Sequence, residues 1–368
     1  MDIKNPVQIG IVGCGNISGA YLTAARRFPI LDVRALADLD MNAARARGEE
    51  FGVPAVEVAS LLADSGVEIV VNLTTPPAHV PVGLQALAAG KHVHSEKPLG
   101  VTLAEAQQLV QRGRELGLRV GCAPDTFLSG AQQTCRKLID DGAIGRVVAG
   151  SAFFMCPGHE RWHPNPAFYY GPGAGPMLDM GPYYITTLVN LLGPVASVAG
   201  AVAMPRKQRE ILSEPRKGQL VDVQVPTHVA GLMTFASGAV VSIVMSFDVP
   251  RHRHLPIELY GTDGAMVVPD PNRFGGQIEV ARGAGEFKPE ETLHAYANGN
   301  FRIVGVADMA QAIVDNRPHR ASGDLALHVL EVMLAVQEAG ATGRSVAIAT
   351  RPERPAMLAI EQSNGSLN

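Results

Sequence analysis

The chain has 368 residues, 46% of them hydrophobic and 18% charged, which is enough for more than one small core. Its net charge of −4 argues against nucleic acid as a main partner, which needs a basic face. No apolar run approaches the roughly 20 residues that span a bilayer, so no membrane partner is expected.

The first third alternates short apolar runs with helical patterns. Val7 to Val12 reads as a strand covered on both faces, Ile17 to Arg27 as helix, Leu31 to Asp38 as strand and Met41 to Phe51 as helix. Glu68 to Leu73 is a third strand, followed by a helix from Ala78 to Ala89 that Gly90 ends. His92 to Ser95 is strand, Leu103 to Leu116 helix and Arg119 to Cys122 strand. Such alternation implies βαβ units and a parallel sheet. The pattern stops near Pro124, which puts a domain of residues 1–123 before a second of 124–350 and a tail of 351–368. In the second part, Ala131 to Asp140 reads as helix. Ala239 to Asp248 alternates, with Val241, Ile243, Met245 and Phe247 on one face, as in an antiparallel sheet. Ser237-Gly238 and residues 261–264 read as hairpin turns, and Val304 to Asp315 and Asp324 to Ala339 as helices.

Gly13-Cys-Gly15-Asn16-Ile17-Ser18 lies between the first strand and the first helix and matches GxGxxS. Gly13 permits the tight turn, and Gly15 lets backbone approach a pyrophosphate at the helix N-terminus. Asp38 follows twenty positions after Ser18, at the end of the second strand. A carboxylate there accepts from ribose hydroxyls and repels a 2′-phosphate, and no arginine directly follows it, so NAD is favoured over NADP. His92-Val-His94-Ser-Glu96-Lys97-Pro98 ends a parallel strand, where ligands bind in open α/β sheets. Lys97 could hold a substrate hydroxyl and the nicotinamide ribose together, or be an ordinary surface lysine; spacing does not decide.

Three stretches taken together resemble the Gfo/Idh/MocA oxidoreductases, the glucose-fructose oxidoreductase and inositol dehydrogenase family. They are Gly13-Cys-Gly15-Asn16-Ile17, Thr74-Thr75-Pro76-Pro77-x-His79 and Gly90-Lys-His-Val-His-Ser-Glu96-Lys97-Pro98-Leu. The resemblance implies an α/β Rossmann domain followed by an α+β domain with an open, mainly antiparallel sheet. That sheet would carry the substrate pocket and often the oligomer interface, so a homodimer or homotetramer is expected. It also implies that Lys97 is the shared catalytic lysine, and that Thr74, Thr75, Pro76, His79 and Glu96 join Gly13, Gly15, Asn16, Ile17 and Asp38 around the cofactor.

Gly171 to Tyr184 is a glycine-rich loop running into a helix, with Asp179 and Tyr183 four apart and so on one face. The matching family pattern is Asp-x-Gly-x-His, with the histidine as general base. This chain has Tyr183 there, as some members do. Tyrosine ionises near pH ~10 unless tuned, and a nearby Lys97 ammonium and the positive charge of the oxidised nicotinamide would favour the phenolate. The expectation is that Tyr183 moves the proton, Lys97 supports it and Asp179 positions the substrate. Two plainer readings stay open: Asp179 as N-cap of a helix from Gly181 to Leu192, and Tyr183 as a half-buried tyrosine with a satisfied hydroxyl.

His159-Glu160-Arg-Trp162-His163 matches HExxH, but Pro157-Gly158 before it and Pro164 and Pro166 after it leave room for barely one helical turn. No metal is expected there. A loop over the pocket fits better, with Trp162, the sole tryptophan, as a flat wall. His159, His163, Tyr170 and Asp125 are then candidate substrate contacts. Asp248 with Arg251, His252, Arg253 and His254 reads as a solvated charged turn, and His228 as a satisfied sheet histidine. Cys14, Cys122, Cys135 and Cys156 form no CxxC pair, which suits reduced thiols and a cytoplasmic location. The Asn364-Gly365-Ser366 sequon then carries no weight, and the N-terminus, which runs into a strand and a glycine loop, does not read as a signal peptide.

The leading expectation is an NAD(H)-dependent oxidoreductase that interconverts a hydroxyl and a ketone carbon on a sugar, polyol or sugar derivative. One alternative is a redox-neutral lyase, epimerase or glycosidase that recycles its NAD. Another is a non-enzymatic nucleotide sensor, against which the pairing of Lys97 with Tyr183 argues.

Overall fold

The computed structural model describes residues 6–360 and Leu367; the first five residues and the Asn364 sequon lie outside them. The first half forms the elements β1 (Val7–Val12), α1 (Ser18–Ala25), β2 (Leu31–Ala37), α2 (Met41–Phe51), β3 (Ala55–Val56), α3 (Val58–Ala63), β4 (Ile69–Asn72), α4 (Pro76–Ala88), β5 (His92–Ser95), α5 (Leu103–Leu116) and β6 (Val120–Cys122). Its strands pair in parallel in the order β3-β2-β1-β4-β5-β6. This is a Rossmann-type sheet. Ile9, Ile11, Ile69, Val70, Val71 and Val93 are wholly buried, as continuous apolar runs in a doubly covered sheet should be.

The second half contains α6 (Gly130–Asp140), β7 (Val147–Met155), α7 (Pro176–Leu192), β8 (Val195–Ala203), β9 (Gln208–Glu210), β10 (Leu220–Asp222), β11 (His228–Phe235), β12 (Val240–Ser246), β13 (Ile257–Gly261), β14 (Gly264–Val268), β15 (Ile278–Arg282), β16 (Lys288–Glu290), α8 (Val304–Val314), α9 (Gly323–Thr342) and β17 (Val346–Ala347). Nine strands form one sheet in the order β16-β15-β14-β13-β7-β12-β11-β8-β17. The β7–β12 pair is parallel and the other pairs are antiparallel. Val241, Ile243, Met245 and Phe247 are all fully buried, on the expected side. The other face, with Leu232, Val240 and Tyr260 exposed, is uncovered.

Helices α7 and α9 pack against the covered face and each other. A Cβ on Gly200 would fall 2.2 Å from the Val336 carbonyl oxygen, so glycine there lets α9 lie directly on β8. By length and composition α9 could cross a membrane, which the sequence reading did not anticipate; here it is a packed core helix. The chain then returns to the first sheet. Cys122 donates its N–H to the Ala321 carbonyl at 3.2 Å, Gly121 bridges Ser322, and Gly323 sits against Val110 and Val120. Helices from the last third of the chain therefore close the β6 side of the Rossmann sheet.

Candidate active site

The glycine loop turns as its sequence requires. Gly13 has φ +103°, and a Cβ there would lie 2.6 Å from the Leu73 backbone, whereas a Cβ on Gly15 would meet nothing within 4 Å. That open space before the start of α1 suits a pyrophosphate. Asn16 is exposed and Ile17 half-buried beside it. Asp38 closes β2, where its carboxylate accepts from the Cys14 N–H at 2.7 Å and the Asp40 N–H at 2.9 Å. Arg47 of α2 reaches toward the same loop, with Nη2 3.4 Å from the Gly15 carbonyl oxygen. Burial, then the Asp38 charge, push the Cys14 thiol up to about 11, so it stays un-ionised at neutral pH.

The β4–α4 loop is held by Asn72. Its Oδ1 accepts from the Thr74 hydroxyl at 2.6 Å, and its amide donates to the His79 carbonyl at 2.9 Å. Thr75 is the N-cap residue of α4 and Pro76 its first residue. His79, expected at the cofactor, is fully buried between two backbone carbonyls, Pro98 O at 2.7 Å and Thr74 O at 2.9 Å. It braces the loop that carries Lys97. Glu96 takes the Tyr21 hydroxyl proton donor at 2.6 Å on one oxygen and the Lys97 N–H at 3.0 Å on the other. This fixes the turn from which the Lys97 side chain leaves.

Lys97 Nζ donates to Asp179 Oδ1 at 2.7 Å and to the Asp179 main-chain carbonyl at 2.8 Å. Asp179 Oδ2 accepts from His159 Nε2 at 3.0 Å. Trp162 Nε1, which can only donate, points at His159 Nδ1 at 3.2 Å. His159 thus carries its proton on Nε2 and gives it to Asp179. Burial works against the Lys97 charge, but Asp179, Tyr183 and Glu96 overcome it and hold the ammonium well above its usual pKa. Burial likewise opposes the Asp179 charge, and Lys97 and His159 overcome it, keeping the carboxylate well below its usual range.

The α7 helix begins at Pro176, not Gly181, so Asp179 lies in its first turn rather than capping it, and Tyr183 follows one turn later on the same face. The Lys97 ammonium sits 5.3 Å from the Tyr183 ring centroid. Lys97 and Arg302 do pull the phenol down, but burial, with Glu96 and Asp179, outweighs them and leaves it above its ordinary value.

The HExxH stretch is one 3₁₀ turn, His159–Arg161. Its first two side chains part company: His159 goes to Asp179, and Glu160 goes to Arg209 Nη1 at 2.8 Å. Arg209 of β9 also pairs with Asp248, whose other oxygen accepts from the Thr227 hydroxyl at 2.6 Å. Asp248 is therefore part of a buried ion network, while Arg251 to His254 are exposed as expected. Tyr170, expected on substrate, is fully buried and gives its hydroxyl to Glu160, so it holds the loop from behind. Trp162 is 58% exposed beside His163, which stacks edge-on with Phe168 and Tyr169. Asp125, also expected on substrate, is buried under α8, where Oδ2 accepts from the N–H groups of Ile303 at 2.8 Å and Gly305 at 3.1 Å. Burial raises it to about 6. His228 meets Ser246 at 2.9 Å, a satisfied sheet histidine.

Comparison with known proteins agrees with this architecture. Residues 7–123 match the description "Oxidoreductase family, NAD-binding Rossmann fold", and residues 132–267 match "GFO/IDH/MocA C-terminal domain". The chain belongs to the Gfo/Idh/MocA family of oxidoreductases. It is 30% identical over 273 residues to the dTDP-3,4-didehydro-2,6-dideoxy-alpha-D-glucose 3-reductase of Streptomyces violaceoruber, covering 70% of this chain and 78% of that one. It is 25% identical to the 1,5-anhydro-D-fructose reductase of Ensifer adhaerens over 93% of this chain and 98% of that one. In fold it is similar to levoglucosan dehydrogenase in complex with NADH, with a TM-score of 0.83 at 20% identity, over 94% of this chain and all of that one. Within this family member, Lys97, Asp179, Tyr183, His159 and Trp162 converge, whereas Tyr170, Asp125 and His79 face inward as supports.

Proposed function

We propose that this protein is an NAD(H)-dependent reductase or dehydrogenase acting on a hydroxyl or ketone carbon of a sugar, polyol or sugar derivative. The observation that carries the reading is the ammonium of Lys97, tied to Asp179 and lying against the Tyr183 ring. A bound nicotinamide supplies the hydride donor or acceptor. The residues at its expected place fit it: open space at Gly15, a carboxylate at the end of β2, and Lys97 beyond the end of β5. Asp38 favours NAD, and Arg47 is the cation that a 2′-phosphate would have to recruit.

Tyr183 is the proton carrier in this reading. In oxidation the Tyr183 oxygen, as phenolate, would take the proton of the substrate hydroxyl; in reduction the Tyr183 phenol would give its proton to the carbonyl oxygen. A phenol held above its ordinary value is protonated at neutral pH, which suits the ketone-reducing direction. Lys97 donates to the same substrate oxygen and stabilises charge developing there. Trp162 offers a face to the sugar ring, and His159 keeps Asp179 aimed at Lys97. The exposed apolar face of the nine-stranded sheet supports a homo-oligomer, and the four free thiols support a cytoplasmic location.

The test is a panel of inositols, aldoses and keto-sugars with NAD(H) and NADP(H), followed by the absorbance of reduced nicotinamide. Net change in that band with one sugar class and NAD(H) is expected. Turnover of sugar with no net change would instead favour the recycled-cofactor lyase, epimerase or glycosidase, and cofactor binding without any turnover would favour the sensor.

A further inference from the structure

We propose that Trp162 is a positioning residue as well as a wall: its indole N–H keeps a second proton off His159 and so leaves the Asp179 carboxylate to Lys97. This rests on Lys97 as the group that holds the reacting oxygen.

The chain of contacts is unbroken. Trp162 Nε1 points at His159 Nδ1 at 3.2 Å, His159 Nε2 donates to Asp179 Oδ2 at 3.0 Å, and Asp179 Oδ1 accepts from Lys97 Nζ at 2.7 Å. An indole N–H donates and never accepts, so Nδ1 must offer its lone pair. A second proton on the ring would set two N–H groups head to head. The imidazole is therefore held with one proton, on the side of Asp179.

The ring has little freedom to escape this arrangement. The rings of Tyr169, Phe247 and Trp162 lie 4.4, 4.5 and 5.4 Å from it, centroid to centroid, and the Tyr170 hydroxyl accepts the His159 main-chain N–H at 3.2 Å. The titratable groups around it are Asp179 on α7, Lys97 behind that carboxylate, and Glu160, His163, Tyr169 and Tyr170 on its own loop. Glu160 is already taken by Arg209 and Tyr170. Burial keeps His163 below its usual value and raises both tyrosines, so these three are uncharged at neutral pH. Asp179 is left as the anion on the ring.

Asp179 is thus shared between two unequal donors. A neutral imidazole gives it one ordinary hydrogen bond. An imidazolium in the same place would bring a full charge and compete with the ammonium for the carboxylate. Trp162 prevents this with the edge of its ring and leaves its exposed face for a substrate, so the two roles can be separated.

Trp162 is the sole tryptophan, so it can be exchanged throughout the chain for 3-benzothienylalanine, which has the same shape but a sulfur in place of the N–H. The ring-¹⁵N signals of His159 are followed against pH in the NAD-loaded protein and assigned by their absence in His159→Gln. The midpoint for the second ring proton should lie about one pH unit higher in the analogue protein than in wild type, a tenfold gain in proton affinity. The acid limb of kcat with the best sugar should move up with it, and Trp162→Phe should reproduce both shifts. In a His159→Gln background the exchange should no longer move the limb. A ring that titrates as in wild type, with a raised KM as the sole change, overturns the proposal and leaves Trp162 as a wall. If the analogue protein does not fold, Trp162→Phe carries the same measurements under the same criterion. If no sugar turns over, the redox reading falls and the ¹⁵N titration still decides what Trp162 does to His159.

Discussion

Asp179 grips Lys97 twice, through its carboxylate at 2.7 Å and its own main-chain carbonyl at 2.8 Å. One residue in the first turn of α7 therefore fixes both the charge and the direction of the ammonium that ends the Glu96-Lys97-Pro98 turn. Replacing Asp179 with Asn keeps the carbonyl contact and removes the charge. Sugar turnover should fall by about 10²- to 10⁴-fold, as for loss of a positioned acid–base group. Steady-state kcat with the best sugar checks this, and a drop under threefold would mean that the pair is scaffolding.

The proposed preference for NAD rests on Asp38. An Asp38→Ser variant loses the anion that opposes a 2′-phosphate while keeping an acceptor for the loop N–H groups. Relative affinity should swing toward NADP by about tenfold or more, some 1.4 kcal/mol. Fluorescence titration with NADH and NADPH measures the ratio, and an unchanged ratio would remove Asp38 from cofactor selection.

The Glu160–Arg209–Asp248 network is nearly dry, with the Arg209 side chain 1% exposed and Glu160 5%. Removing the shared cation in Arg209→Met leaves two carboxylates buried without it. Denaturation at pH 7 should show a loss of about 3–5 kcal/mol. The loop carrying His159 and Trp162 should loosen with it and raise KM. Unchanged stability would show that the carboxylates find water or another partner.

Acid should weaken the fold through buried histidines. His94 is fully buried with both ring nitrogens unpartnered, and burial pulls it to about 3; His319, half-buried, and His328, buried, go to about 4. His328 Nε2 accepts from the Val195 N–H at 3.0 Å, which requires a neutral ring. Folded values below the ordinary 6.5 mean that the unfolded chain binds more protons. Stability is thus full above about pH 6.5 and declines as pH falls toward 4, by about 1.4 kcal/mol per pH unit for each such ring. Urea midpoints from pH 7 to 4.5 test this, and His94→Leu should flatten the decline.

The parallel half was legible because strands buried on both faces write themselves as apolar runs; β1, β5 and α5 lie within a residue of where the sequence puts them. Lys97, Asp179 and Tyr183 were legible because each belongs to a local pattern. The tie between His159 and Asp179 was not, since 20 residues separate them and no local spacing marks the pair. The same holds for Asp248. A charge beside a basic run reads as solvated, and only the fold brings Arg209 of β9 across to bury it. Tyr170 and Asp125 misled for a related reason: their chemistry suits a ligand, but neighbours inside the protein claim it first.

The return of residues 321–323 to β6 bears on how far these parts can be treated as interchangeable cassettes. A fragment stopping at the end of the first sheet would leave that edge bare and its outer strand without the helices that shelter it. Grafting a cofactor module from a relative would have to bring both ends of the chain, because the two are braided there.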